Sequence, residues 1–119
     1  MNLGDTFLPR NPADNRHLYV VIHRAPEICV SVNFTTRKAD SDLSCIVKAG
    51  EHKRIIHESV ICYDREVTWP SEKIIAEAQY LIEVPREPVS KELLERIHKG
   101  ALVSRYVAPW LRRACRTYL

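Results

Sequence analysis

No apolar run in this chain is longer than five residues, and the longest is Leu18–Ile22. That is far short of the ~20 residues a membrane-spanning helix needs, so no membrane partner is expected. The first fifteen residues, MNLGDTFLPRNPADN, lack the apolar stretch of a secretory signal, which points to a cytoplasmic protein. Its four cysteines are then expected to be reduced thiols. A compact zinc pattern is also missing. Cys45, His52, His57 and Cys62 could be written as C-x6-H-x4-H-x4-C, but no C-x2–4-C knuckle is present, and no metal or other cofactor is expected. Cys29 and Cys62 sit inside strand-like runs, where cysteine behaves as a small core residue. There is no internal repeat and no low-complexity segment.

What is present fits one soluble globular domain with a single core: 119 residues, 13.8 kDa, 45% hydrophobic and 28% charged. Charge is unevenly placed. Residues 1–90 carry 11 Lys+Arg against 13 Asp+Glu, and residues 91–119 carry 7 against 2, so the net +3 is a body of −2 with a tail of +5. A basic tail on a slightly acidic body suggests an anionic partner, nucleic acid or an acidic protein segment. Arg105, Arg112, Arg113 and Arg116 lie near Tyr106, Trp110 and Tyr118, a combination able to bind nucleic acid by charge and stacking. The plainer reading is an amphipathic helix that docks Val103, Val107, Trp110 and Leu111 on the sheet and leaves its arginines in water.

Short strands are expected at Gly4–Leu8, Leu18–His23, Ile28–Phe34, Cys45–Val47 and Ser59–Tyr63, with Glu66–Thr68 as a last edge strand. In Ile28–Phe34 the residues Ile28, Val30, Val32 and Phe34 share one face, while Cys29, Ser31 and Asn33 share the other. Turn signals separate these runs, which together predict a small, strongly bent sheet or barrel. After Pro70 the period becomes helical. Ser71–Ile82 reads as a first helix ending at Pro85 and Pro88, Ser90 caps a second with the stripe Leu93, Leu94, Ile97, Ala101 and Leu102, and a third begins at Pro109. The expected class is mainly β with C-terminal helices (α+β): a barrel over residues 1–70 and a helical extension over residues 71–119.

Chemistry-bearing residues concentrate between Val30 and Tyr63. Thr35, Thr36, Arg37, Asp40, Asp42, Cys45, Glu51, His52, His57 and Glu58 all lie in or beside the polar crossing between two strand-like runs. Histidines near an arginine and hydroxyls are the groups needed to move protons at a phosphodiester. Thr35-Thr36-Arg37 ends a strand, where a guanidinium and a hydroxyl can hold a phosphate, or where a plain polar turn can sit. Taken alone, either histidine reads as a surface or satisfied core residue. The pair flanking Lys53-Arg54 is what raises acid–base chemistry, and only a turn at residues 53–56 would bring the two rings together.

In order along the chain, GDTF, HLYVVI, VSVNFTT and DSDLSCIVKAGEHKRIIHESVICY resemble the short MazF/PemK-like (Kid-type) toxins of bacterial type II toxin–antitoxin systems, over roughly residues 3–69. The resemblance implies an SH3-like small β-barrel followed by two or three helices, a homodimer, a cognate antitoxin protein as partner, and metal-independent cleavage of single-stranded RNA through the ribose 2′-hydroxyl. It also implies an arginine and a Thr or Ser at the site. The hydroxyl falls on Thr35 or Thr36, and the arginine on Arg24, Arg10 or Arg37. Where better-known members have Arg-Pro entering the second strand, this chain has His17-Leu18-Tyr19.

Two functions follow. As an endoribonuclease, His52 or His57 would take the 2′-hydroxyl proton, Arg37 or Arg24 would stabilise the phosphorane, and Thr35 or Thr36 would position the phosphate, with Lys53, Arg54, Ser59 and Arg10 binding RNA. Alternatively, the chain is a non-catalytic barrel that binds a protein or nucleic acid through its basic helical tail. The first function requires a histidine, an arginine and a threonine to converge in one cleft.

Overall fold

A computed structural model describes residues 2–9, 17–70 and 82–119. Six strands, β1 (Thr6–Pro9), β2 (Tyr19–Arg24), β3 (Ile28–Thr36), β4 (Ile46–Val47), β5 (Ser59–Pro70) and β6 (Ile82–Arg86), form one antiparallel sheet in the order β4-β5-β3-β2-β1-β6. Two helices follow, α1 (Lys91–Val103) and α2 (Pro109–Arg116). The ladder is open among the described residues, with β4 at one edge and β6 at the other.

Alternation in β3 has the expected result: its two faces enter two separate cores. Val30, Val32 and Phe34 join Val20, Ile22 and Ile61 in the large cluster, while Cys29 joins Phe7, Tyr19 and Val21 in a small one on the opposite face. Phe7 and Tyr19 stack with centroids 5.5 Å apart. The β3–β5 ladder is continuous except at one place: Ser31 faces Val67 and Asn33 faces Cys62, so Val32 alone opposes Tyr63 to Glu66. Such an insertion bends a strand and increases its twist. It also corrects one expectation. Glu66–Thr68 is not an edge strand but the continuation of β5, paired to β3 inside the sheet.

The helices close the large core from one side. Leu93, Ile97 and Ala101 of α1 and Leu111 and Cys115 of α2 are buried in the same cluster as the sheet residues, with Leu93, Ile97 and Leu111 each adding roughly 1.5–3 kcal/mol by leaving water. Ser90 caps α1 by accepting the Leu93 amide at 3.1 Å, and Pro109 occupies the first turn of α2. The helix expected from Ser71 lies outside the described residues up to position 81. Its last residue, Ile82, instead begins β6, which pairs with β1. No described helix is long and apolar enough to cross a membrane.

Candidate active site

β3 and β5 bring Thr36 opposite Ser59 and Thr35 opposite Val60, and Arg37 adds a backbone bond from its amide to the Glu58 carbonyl at 3.0 Å. The two chains then diverge, one into the loop from Arg37 and the other back into the 48–58 loop. Two adjoining hollows form at this parting. The larger, about 720 Å³, is open and is lined by Arg37, Ala39, Leu43 and Glu58 together with Thr36, Lys38 and His57. The smaller, about 400 Å³, has an apolar floor of Leu8, Leu18, Phe34 and Ile55, with Ile56 beside it. Its polar wall is His17, Thr35, Arg54 and Ser59, again with Thr36, Lys38 and His57. Those last three residues line both hollows.

Local bonds set this wall. Ser59 donates its hydroxyl to the His57 carbonyl at 2.9 Å, fixing the backbone that carries the exposed imidazole. The Lys38 amide donates to Ser41 Oγ at 2.7 Å, turning the chain just after β3. Arg37 stays at the edge of the larger hollow: its guanidinium meets the Glu58 carboxylate at 2.5 Å, with both side chains more than 40% exposed. An exposed pair of this kind contributes at most about 1 kcal/mol and forms the rim of the larger hollow. The smaller hollow is lined by Lys38 and Arg54 and by no carboxylate among the described residues, which makes it the more electropositive of the two.

Several expected site residues are placed elsewhere. His52 is buried, and both its ring nitrogens are occupied. Nδ1 accepts the Arg54 amide at 3.0 Å, so Nε2 carries the proton and donates to the Glu87 carbonyl at 2.6 Å. Thr6 donates its hydroxyl to the same carbonyl at 2.6 Å. This histidine ties the 48–58 loop to the segment after β6 and has no ring nitrogen left to act as a base in the cleft. Arg24 ends β2, roughly 20 Å along the strand from His17, and its amide donates to the Tyr118 hydroxyl at 3.2 Å. Lys53 pairs with Glu87 at 2.8 Å and lines neither hollow. Arg10 lies outside the described residues.

The two hollows therefore bring together His57, Thr35, Thr36, Ser59 and Arg54, with Arg37 at the rim of the larger one, and add two residues that sequence reasoning did not single out, His17 and Lys38. His17 precedes β2, and the Tyr19–Asn33 register continues to set it across from Thr35. Its place at the entry of the second strand-like run was the one available signal. The four thiol and imidazole groups of the zinc reading have four different surroundings. Cys45 lies under α1, His52 on the Glu87 carbonyl, His57 in the cleft, and Cys62 donates its thiol to Asp64 at 3.1 Å. No group of three or more metal-binding side chains occurs among the described residues. Burial pushes the Cys45 and Cys115 thiols up to about 11, which leaves them protonated and unreactive at neutral pH.

Comparison with known proteins finds no match. No family model, no curated protein and no solved structure aligns with the chain. Geometry is what remains, and it gathers an imidazole, a hydroxyl and an ammonium on one wall between two hollows, each with room for a nucleotide-sized group.

Proposed function

We propose that the chain is the toxin component of a type II toxin–antitoxin system, a metal-independent endoribonuclease that cuts single-stranded RNA in this cleft. The observation that carries the reading is the shared wall: Thr36, Lys38 and His57 line both hollows, so a chain laid across them presents its bridging phosphate to all three. Lys38 supplies positive charge to the phosphorane, Thr36 hydrogen-bonds a phosphate oxygen, and His57 takes the 2′-hydroxyl proton. Thr35 and Ser59 support the wall, and Arg54 attracts the backbone of the neighbouring nucleotide. The reading also carries the SH3-like barrel, with the bulged β3–β5 pair as the bend that folds the sheet over its core, and it carries a homodimer acting in the cytoplasm with a cognate antitoxin.

The test is cleavage of a single-stranded RNA in EDTA. Products ending in a 2′,3′-cyclic phosphate are expected, with DNA left intact. His57→Ala and Lys38→Ala, both at exposed positions, are expected to fold normally and to lose on the order of a hundredfold in rate. Folded protein without cleavage would favour the second reading, a binding module. That alternative draws on the exposed Val103, Tyr106 and Trp110 beside the exposed Arg105 and Arg113, a corner suited to an acidic protein segment or to RNA.

A further inference from the structure

We propose that His17 is the second proton-transfer group of this cleft, the general acid that protonates the departing 5′-oxygen. The inference rests on the ribonuclease reading and assigns the other half of its chemistry. Transesterification of an RNA phosphodiester removes one proton and delivers another, so a single imidazole on the shared wall leaves the leaving group unserved. The structure places a second imidazole in the cleft, and only in the smaller hollow. A group confined to one hollow serves only the nucleotide lodged there. The wall group, His57, can reach the ribose on the other side.

This asymmetry fixes a direction for the RNA. The nucleotide bearing the attacking 2′-hydroxyl occupies the larger hollow, beside the Arg37–Glu58 rim, and the leaving nucleotide lies on the apolar floor of the smaller one. Neutral His57 accepts the 2′-hydroxyl proton as the 2′-oxygen bonds to phosphorus. The bond from phosphorus to the 5′-oxygen breaks, and the imidazolium of His17 gives its proton to that oxygen. The products are a 2′,3′-cyclic phosphate and a free 5′-hydroxyl, with His57 protonated and His17 neutral until water resets both. Among the described residues, the charged groups that line the hollows with the two rings are Lys38 from the loop after β3, Arg54 from the 48–58 loop, and the Arg37–Glu58 pair at the rim. His52 is not among them, since its ring faces the Glu87 carbonyl.

Two matched oligonucleotides decide the matter, each with one ribonucleotide and one carrying sulfur in place of the bridging 5′-oxygen at the cut. A thiolate leaves without being protonated, so it needs no general acid. His17→Gln and His17→Ala are expected to slow cleavage of the oxygen substrate by about a hundredfold. Both variants should cut the sulfur substrate at the parent rate. His57→Ala should be slow on both substrates. A His17 variant as fast as the parent on oxygen, or equally slow on both substrates, overturns the assignment while the ribonuclease reading stands. Sulfur rescue of His57→Ala instead of the His17 variants would reverse the two roles and overturn it too. A parent chain that cuts neither substrate removes the ribonuclease reading together with this one.

Discussion

Both ring nitrogens of His52 are committed to backbone groups, Nε2 to the Glu87 carbonyl and Nδ1 to the Arg54 amide, whereas five residues on the imidazole of His57 is exposed at the wall of the cleft. Similar local sequences, Gly-Glu-His and His-Glu-Ser, thus give one structural and one chemical histidine. Substitution separates them. His52→Ala leaves the Arg54 amide without its acceptor and the Glu87 carbonyl with Thr6 as its remaining donor, a loss of roughly 1 kcal/mol or more, read as a lower urea midpoint, while folded molecules keep their cleavage rate. His57→Ala is expected to show the reverse, an unchanged midpoint with the rate lost. A midpoint for His52→Ala equal to the parent's would show that the loop holds without this tie. The candidate site was half legible for the same reason. Thr35, Thr36 and His57 flank strands whose pairing follows from alternation, so their convergence could be anticipated. The burial of His52 depends on Glu87, and the approach of His17 depends on the β2–β3 register. Both are contacts between distant parts of the chain that no local pattern encodes.

At the level of elements, α1 meets the sheet with no spacer at Gly100. A Cβ there would lie 2.3 Å from the Tyr63 hydroxyl and 2.9 Å from both Cys45 Cβ and the Ser44 carbonyl oxygen. The tyrosine cannot simply move aside, because its hydroxyl donates to the Ile97 carbonyl at 2.6 Å and its ring is buried. Gly100→Ala would favour the isolated helix by about 1 kcal/mol, yet the contact should win. We expect a net destabilisation of roughly 1–3 kcal/mol in denaturant unfolding, and a variant more stable than the parent would show that α1 can shift outward. Strands β1 to β4 and both described helices fall within a residue or two of the positions read from the sequence, since their periods are local and their caps explicit. β6 does not. Ile82-Glu83-Val84-Pro85-Arg86 ends a helical pattern, and Pro85 reads as its stop. At the sheet edge a residue without an amide proton is tolerated, so the pairing with β1 decides the conformation.

Over the whole molecule, the C-terminus returns to the sheet at the end of β2 opposite the cleft. Tyr118 stacks on His98 of α1 at 4.6 Å between centroids, and its hydroxyl lies 2.8 Å from His23 Nδ1 and accepts the Arg24 amide at 3.2 Å. A neutral His23 accepts the hydroxyl's proton at Nδ1, whereas a charged ring would have to donate in the other direction. His98, in turn, donates Nε2–H to the Ile22 carbonyl at 2.8 Å. One aromatic residue thus joins α1, β2 and the end of the chain. Burial holds the pKa of His23 below its ordinary 6.5, and burial does the same for His98, helped by the nearby His23 and opposed by the Ile22 carbonyl. As pH falls through that range the unfolded chain binds more protons than the folded one. Stability from this junction is therefore complete above about 6.5 and drains away on acidification toward the folded-state values. Tm is expected to drop between about pH 7.5 and pH 5 by more than in Tyr118→Phe, where the His23 bond is already gone and less remains for acid to break. Equal pH dependence in the two proteins would locate the acid-sensitive group elsewhere. Since the cleft lies at the far end of β2, the same acid step should loosen the helices before it disturbs the wall formed by Thr36, Lys38 and His57.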